Sequence, residues 1–100
     1  MSRKVIISQI AEKRLEILFE YLLDAWSYKV KTDFINKLDE NIQIIKNQPE
    51  SFPESEKESG LRKCVITKQT TLYYEFNNKE IHILSLFDTR QDPKRLKKDL

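Results

Sequence analysis

The stretch TLYYEFNNKEIHILSLF, residues 71–87, settles the class of fold. Two runs rich in β-branched and aromatic residues, 71–76 and 81–87, flank Asn77-Asn78, and asparagine tolerates the positive φ of tight hairpin turns. A third run, residues 62–67, precedes them, with 68–70 available to turn the first hairpin. Three consecutive strands with short turns predict an antiparallel meander. In 71–76, Leu72, Tyr74 and Phe76 share one face and Tyr73 and Glu75 the other. In 81–87, strict alternation sets Ile81, Ile83 and Phe87 against His82, Leu84 and Leu86.

The half before the meander reads differently. Residues 5–7 form a short apolar β-branched run, an opening strand closed by Ser8, a good helix N-cap. Ala11, Leu15, Leu18, Leu22 and Ala25 then recur at helical spacing among Glu12, Arg14, Glu16, Glu20 and Asp24. Val30, Phe34, Leu38, Ile42 and Ile45 repeat the pattern until Pro49 stops it, and Ser27 caps this second helix after a tight turn. Residues 49–60, PESFPESEKESG, have no period and form a connection, with Phe52 as a plug over the core edge. The expected fold is α+β, one domain over residues 1–100: an N-terminal strand, an antiparallel helix pair, then a three-stranded antiparallel meander with both helices on one face. The other face is expected to be a partly polar concavity receiving Arg62 or Lys63, Tyr73 and the end of the last strand.

Composition narrows the function classes. With 100 residues and a formal charge of +2 there is room for one small domain. The charge is uneven, −2 over residues 1–60 and +4 over 61–100, which suggests a polyanionic or acidic partner for the second half. The single cysteine, Cys64, excludes an internal disulfide and is expected to be buried in the sheet. With the single histidine, His82, it cannot supply a Cys/His zinc site, so no metal or cofactor is expected. The apolar run after Arg3 and Lys4 is too short for a secretory signal, and acids interrupt the longest hydrophobic stretch. A cytoplasmic protein without a membrane partner is the expectation.

The chain resembles the RelE/ParE superfamily of bacterial toxins, often labelled plasmid stabilisation proteins, over nearly its whole length. The residues that carry the resemblance are the helix pair ending in Asn47-Gln48-Pro49, then Phe52-Pro53, Leu61-Arg62, Leu72-Tyr73-Tyr74-Glu75, and residues 81–86 leading into Phe87-Asp88-Thr89-Arg90-Gln91-Asp92-Pro93. The resemblance implies a growth inhibitor neutralised by a cognate antitoxin, whose partly disordered segment wraps the toxin. RelE-like members cut messenger RNA on the ribosome, whereas ParE-like members poison DNA gyrase without nuclease chemistry. Neither class implies a small-molecule substrate.

Cleavage of RNA through its own 2′-hydroxyl needs a base, cations for the phosphorane and an acid for the leaving oxygen. Arg62 and Arg90 match positions where the family places basic residues, and either suits a bidentate phosphate grip or an ordinary ion pair. Tyr73 and His82 are the candidates for proton transfer. Nuclease members commonly bring a His or Tyr to the end of the last strand or just beyond, where this chain has Phe87, Asp88, Thr89 and Arg90. The expectation is therefore a ParE-like toxin that binds its target through the sheet face and a basic set of Arg62, Lys63, Arg90, Lys94 and Arg95, extended by Lys97 and Lys98. The alternatives are a ribosome-dependent endoribonuclease and a module kept only to bind antitoxin or regulate an operator.

Overall fold

The computed structural model describes residues 3–56 and 60–91. In chain order they form β1 (Lys4–Ile7), α1 (Gln9–Ala25), α2 (Tyr28–Asn47), a 3₁₀ turn (Pro49–Ser51), β2 (Arg62–Val65), β3 (Thr70–Phe76), β4 (Glu80–Asp88) and a 3₁₀ turn (Thr89–Gln91). The sheet order is β1-β4-β3-β2. The meander β2–β3–β4 is antiparallel as expected, while β1 adds to β4 in parallel. The sheet is therefore mixed, not wholly antiparallel, because the two intervening helices return the chain to the end from which β1 started.

Both serine caps form. Ser8 Oγ accepts the Ala11 N–H at 3.0 Å, and Ser27 Oγ accepts the Val30 N–H at 3.1 Å. Between the helices, the Trp26 and Ser27 N–H groups both donate to the Leu22 carbonyl, so the chain reverses within two residues. The helices meet through Phe19 and Phe34, edge to face with centroids 6.2 Å apart. Ala11, Leu18 and Leu22 of α1 and Phe34, Leu38 and Ile45 of α2 are buried on Cys64, Leu72, Tyr74, Ile81, Ile83 and Leu86 of the sheet. Each large side chain sealed there contributes about 1.5–3 kcal/mol. Ala25, expected to extend the α1 stripe, is exposed, so the buried seam stops at Leu22.

The alternation expected for β4 breaks at Leu84. Tyr73 faces Ser85 and Tyr74 faces Ile83, so Leu84 is the extra residue of a β-bulge. Ile81 and Ile83 point to the helices before it, and Leu86 and Asp88 do so after it, which turns Phe87 outward instead of Leu86. The end of β1 holds the bulge: Ser8 donates its N–H to the Ile83 carbonyl at 2.9 Å and its hydroxyl to the Leu84 carbonyl at 2.8 Å.

The connection from Pro49 is pinned from beneath. Tyr74 Oη donates to the Pro49 carbonyl at 2.6 Å, and Phe52 packs edge-on against the Tyr74 ring, as expected of a plug. Gly60 holds φ +84°, a left-handed turn that side chains with a Cβ disfavour, just before β2. Among the described residues no helix is long and apolar enough to cross a membrane.

Candidate functional site

The sheet face opposite the helices carries the side chains available to a target. Pairing register sets them in rows: Ile6, His82 and Glu75 across β1, β4 and β3; Ser85, Tyr73 and Lys63 across β4, β3 and β2; Phe87, Thr71 and Val65 beyond. Lys4 and Glu80 close the near end. Tyr73 and His82 therefore lie on one face, one rung apart on neighbouring strands. His82 Nε2 sits 3.2 Å from Glu80 Oε1. Val65 is 59% and Phe87 41% exposed, so an apolar corner accompanies the polar rows. Lys4 and Lys63 are balanced by Glu75 and Glu80, so this face is mixed in charge, where an excess of cations was expected.

Arg62 is not part of it. Opposite Tyr74 in the ladder, it shares the helix side with Cys64, and Lys63 is the residue that takes the outward position. The Arg62 guanidinium donates to the Phe52 carbonyl at 2.6 Å and the Glu50 carbonyl at 3.4 Å, and lies 3.9 Å from Glu54. It also stacks 5.6 Å from the centroid of Phe76, whose ring meets Arg3 at 5.4 Å. These contacts clamp the connection onto the sheet.

Arg90 is paired as well. Its Nε and Nη2 meet the two oxygens of Asp88 at 3.0 and 2.8 Å, and its main-chain N–H adds a 2.8 Å bond to Oδ1. Thr70 donates its hydroxyl to Asp88 from the other side. Burial alone would raise the Asp88 carboxyl, but the bonds from Arg90 and Thr70 outweigh it and hold the group below the usual carboxylate range. The same pairing, against the opposing effect of burial, raises Arg90. Arg90 borders a hollow of about 190 Å³ with Val30, Phe34, Lys37, Thr67 and Gln69, on the α2 side and away from Tyr73 and His82.

Of the expected site residues, the structure brings Lys63, Tyr73 and His82 to one face and sends Arg62 and Arg90 to the other. Lys94, Arg95, Lys97 and Lys98 lie outside the described residues. Cys64 is fully buried as expected, and burial pushes its thiol up to about 11, which leaves it protonated and unreactive at neutral pH. Sequence reasoning missed Phe87 and Thr70. The signal for Phe87 was the change of parity between Ile83 and Leu86; the hydroxyl of Thr70 left no signal of its own.

No curated protein sequence matches the chain. Solved structures resemble it at low identity. A protein of the chromosomal ParDE toxin–antitoxin system from P. aeruginosa matches with a TM-score of 0.72 at 11% identity, over 87% of this chain and 96% of that one. The E. coli DinJ–YafQ toxin–antitoxin complex gives 0.63 at 13%, over 93% and 99%. The YoeB/ParE toxin from Agrobacterium tumefaciens gives 0.62 at 12%, over 85% and 96%. At these identities the likeness is one of fold, and it agrees with the helix pair on a four-stranded sheet. The family model for the ParE toxin of type II toxin–antitoxin systems, parDE, matches residues 5–93. With that match running from β1 to beyond the last 3₁₀ turn, the chain belongs to the ParE toxin family of type II toxin–antitoxin systems.

Proposed function

We propose that this toxin arrests growth by binding DNA gyrase through the open sheet face, and that a cognate antitoxin neutralises it. One observation carries the choice of binding over cleavage: both arginines that a phosphoryl-transfer site would draw on are already engaged inside the chain, on the helix side of the sheet. The outward face presents Phe87, Val65, Lys63 and Tyr73 among its mixed charges, amphipathic and apolar groups of the kind that anchor protein interfaces. Purified protein is expected to block gyrase supercoiling at micromolar concentrations or below. Full supercoiling in its presence, with translation inhibited instead, overturns the reading.

A second reading rests on the contact between His82 and Glu80. A carboxylate beside an imidazole orients it for proton transfer, and Tyr73 shares the face, so a ribosome-dependent endoribonuclease would draw on these groups with Lys63 on phosphate. Primer extension on ribosome-bound message separates the two. Codon-specific cuts that vanish in His82→Gln favour cleavage, and their absence with the parent protein favours gyrase.

A further inference from the structure

An extra residue in a strand leaves main-chain groups out of the ladder, so a β-bulge needs partners of its own. In β4 they come from the residue just past β1. That strand ends with Ile7 opposite Ile83, and Ser8 follows. Its N–H takes the Ile83 carbonyl at 2.9 Å and its hydroxyl the Leu84 carbonyl at 2.8 Å, so one residue holds two successive carbonyls at the bulge. The same Oγ accepts the Ala11 N–H at 3.0 Å. It donates to the sheet and accepts from the helix at once, and the first turn of α1 and the bulge of β4 share one atom.

A helix cap alone does not require this. An aspartate caps as well as a serine does, but an ionised carboxylate only accepts. Ser27 caps α2 by accepting the Val30 N–H at 3.1 Å and, among the described residues, makes no side-chain bond to the sheet. The second bond of Ser8 therefore serves β4. What the bulge decides there is the outer face: Leu86 and Asp88 turn to the helices, and Phe87 stands outward opposite Thr71, with Val65 beyond. In an unbroken ladder Phe87 would lie against the helices and Leu86 would face out. Burial of Leu86 and the bonds of Thr70 and Arg90 to Asp88 favour the bulged form from the far side. Ser8 favours it from the near side, at the extra residue itself.

We propose that Ser8 is a positioning residue for target binding: its hydroxyl, by holding the Leu84 carbonyl, keeps the bulge in place and with it the Phe87 ring on the open face. The proposal rests on the reading of that face as the surface that meets gyrase. Ser8 acts through Phe87 and touches no target itself. Four substitutions separate this role from that of a cap. Ser8→Asp keeps an acceptor for the Ala11 N–H and removes the donor to Leu84, whereas Ser8→Thr keeps both. Ser27→Ala removes the other cap and leaves the bulge alone. Gln9→Glu, at an exposed neighbouring position, controls for the charge that Ser8→Asp adds. Should Ser8→Asp fail to fold, Ser8→Ala set against Ser27→Ala gives the same comparison without a new charge.

Two readouts on the full chain are compared at equal folded fraction: nuclear Overhauser contact between the Phe87 ring and the Thr71 methyl, which face each other across β3 and β4, and half-inhibition of gyrase supercoiling. Ser8→Asp is expected to weaken the ring contact and to raise the protein needed for half-inhibition about three- to tenfold, the range set by the net contribution of one hydrogen bond. Ser8→Thr and Gln9→Glu are expected to match the parent in both. Ser27→Ala is expected to lower the melting temperature by about 5 °C and to move neither readout. An unchanged ring contact in Ser8→Asp, equal effects of Ser8→Asp and Ser27→Ala, or a Gln9→Glu variant that behaves like Ser8→Asp each overturns the proposal. The ring contact is read without any target. If the parent leaves gyrase untouched while Ser8→Asp still loses the contact, the gyrase reading fails and the clasp on β4 stands; if Ser8→Asp loses inhibition with the contact intact, the clasp fails and the gyrase reading stands.

Discussion

Arg90 grips Asp88 with both a guanidinium fork and its own main-chain N–H, and Asp88 is only 4% exposed. A carboxylate at that depth depends on its partners, and the fork ties the end of β4 to the β2–β3 turn through Thr70. Arg90→Ala is expected to cost about 3–5 kcal/mol by denaturant titration, because it leaves a buried charge short of its main partner. Adding Asp88→Asn is expected to recover part of the loss. A cost under about 1 kcal/mol for Arg90→Ala shows that the pair is ornamental. Any loss of toxicity in this variant has therefore to be compared at equal folded fraction.

The same pair sets the acid limb of stability. The folded carboxyl of Asp88 lies below its unfolded value of about 3.9, so its contribution is complete above that value and is lost as pH falls through the folded one. Melting temperature is expected to drop from about pH 5 downward in the parent protein and to drop less steeply in Asp88→Asn. Parallel curves for the two proteins refute the assignment.

Arg62 is expected to behave as a clamp. Arg62→Ala removes two bonds to the carbonyls of Glu50 and Phe52 and a stacking partner of Phe76, a loss of about 1.5–3 kcal/mol. Exchange at the Ser55 and Lys63 amides, which bond to Leu61 and Pro53 across the connection, is expected to quicken most. Gyrase inhibition per folded molecule is expected to persist. If inhibition disappears while those amides stay protected, Arg62 reaches the target after all.

The helix seams and the meander were legible because their periods are unbroken: Leu18, Leu22, Phe34 and Leu38 lie at helical spacing, and Leu72 and Tyr74 alternate with Tyr73. The parallel placement of β1 was not, since a three-residue apolar run has no marker of direction or neighbour. The faces of β4 were misread because strict alternation assumes a regular ladder, and the bulge at Leu84 shifts every later residue to the other side. The side taken by Arg62 follows from parity once one neighbour is placed: it matches the buried Cys64, and Lys63 points outward. The Asp88–Arg90 fork was foreseeable as a pair, but its depth followed from the same shift.

Tyr74 gives an alkaline counterpart. Its hydroxyl bonds the Pro49 carbonyl in the core, and burial pushes it up to about 12, with Arg62 acting the other way and Cys64 and Glu50 adding to the rise. The ordinary tyrosine value is about 10, so this stabilising effect is full below about pH 10 and lost as pH rises through the folded value. Tyr74→Phe is expected to cost about 1–3 kcal/mol at neutral pH by leaving that carbonyl without its donor, and to flatten the alkaline fall. An unchanged alkaline limb in the variant contradicts the assignment.

The open face is where function and stability are expected to separate. Lys63 projects outward from β2, and Phe87 is turned outward by the bulge, so neither holds the core together. Lys63→Glu and Phe87→Ser are each expected to leave unfolding free energy within about 1 kcal/mol of the parent, as exposed substitutions do. Half-inhibition of supercoiling is expected to need about tenfold more protein or beyond, since an aromatic anchor and a charge of the right sign are lost from the contact surface. Leu86→Ser is the converse control. It sits one residue from Phe87 but faces the helices, so it is expected to lower stability markedly while the molecules that remain folded inhibit gyrase normally. If Leu86→Ser and Phe87→Ser lose inhibition alike at equal folded fraction, the target is not read from the outer face of β4.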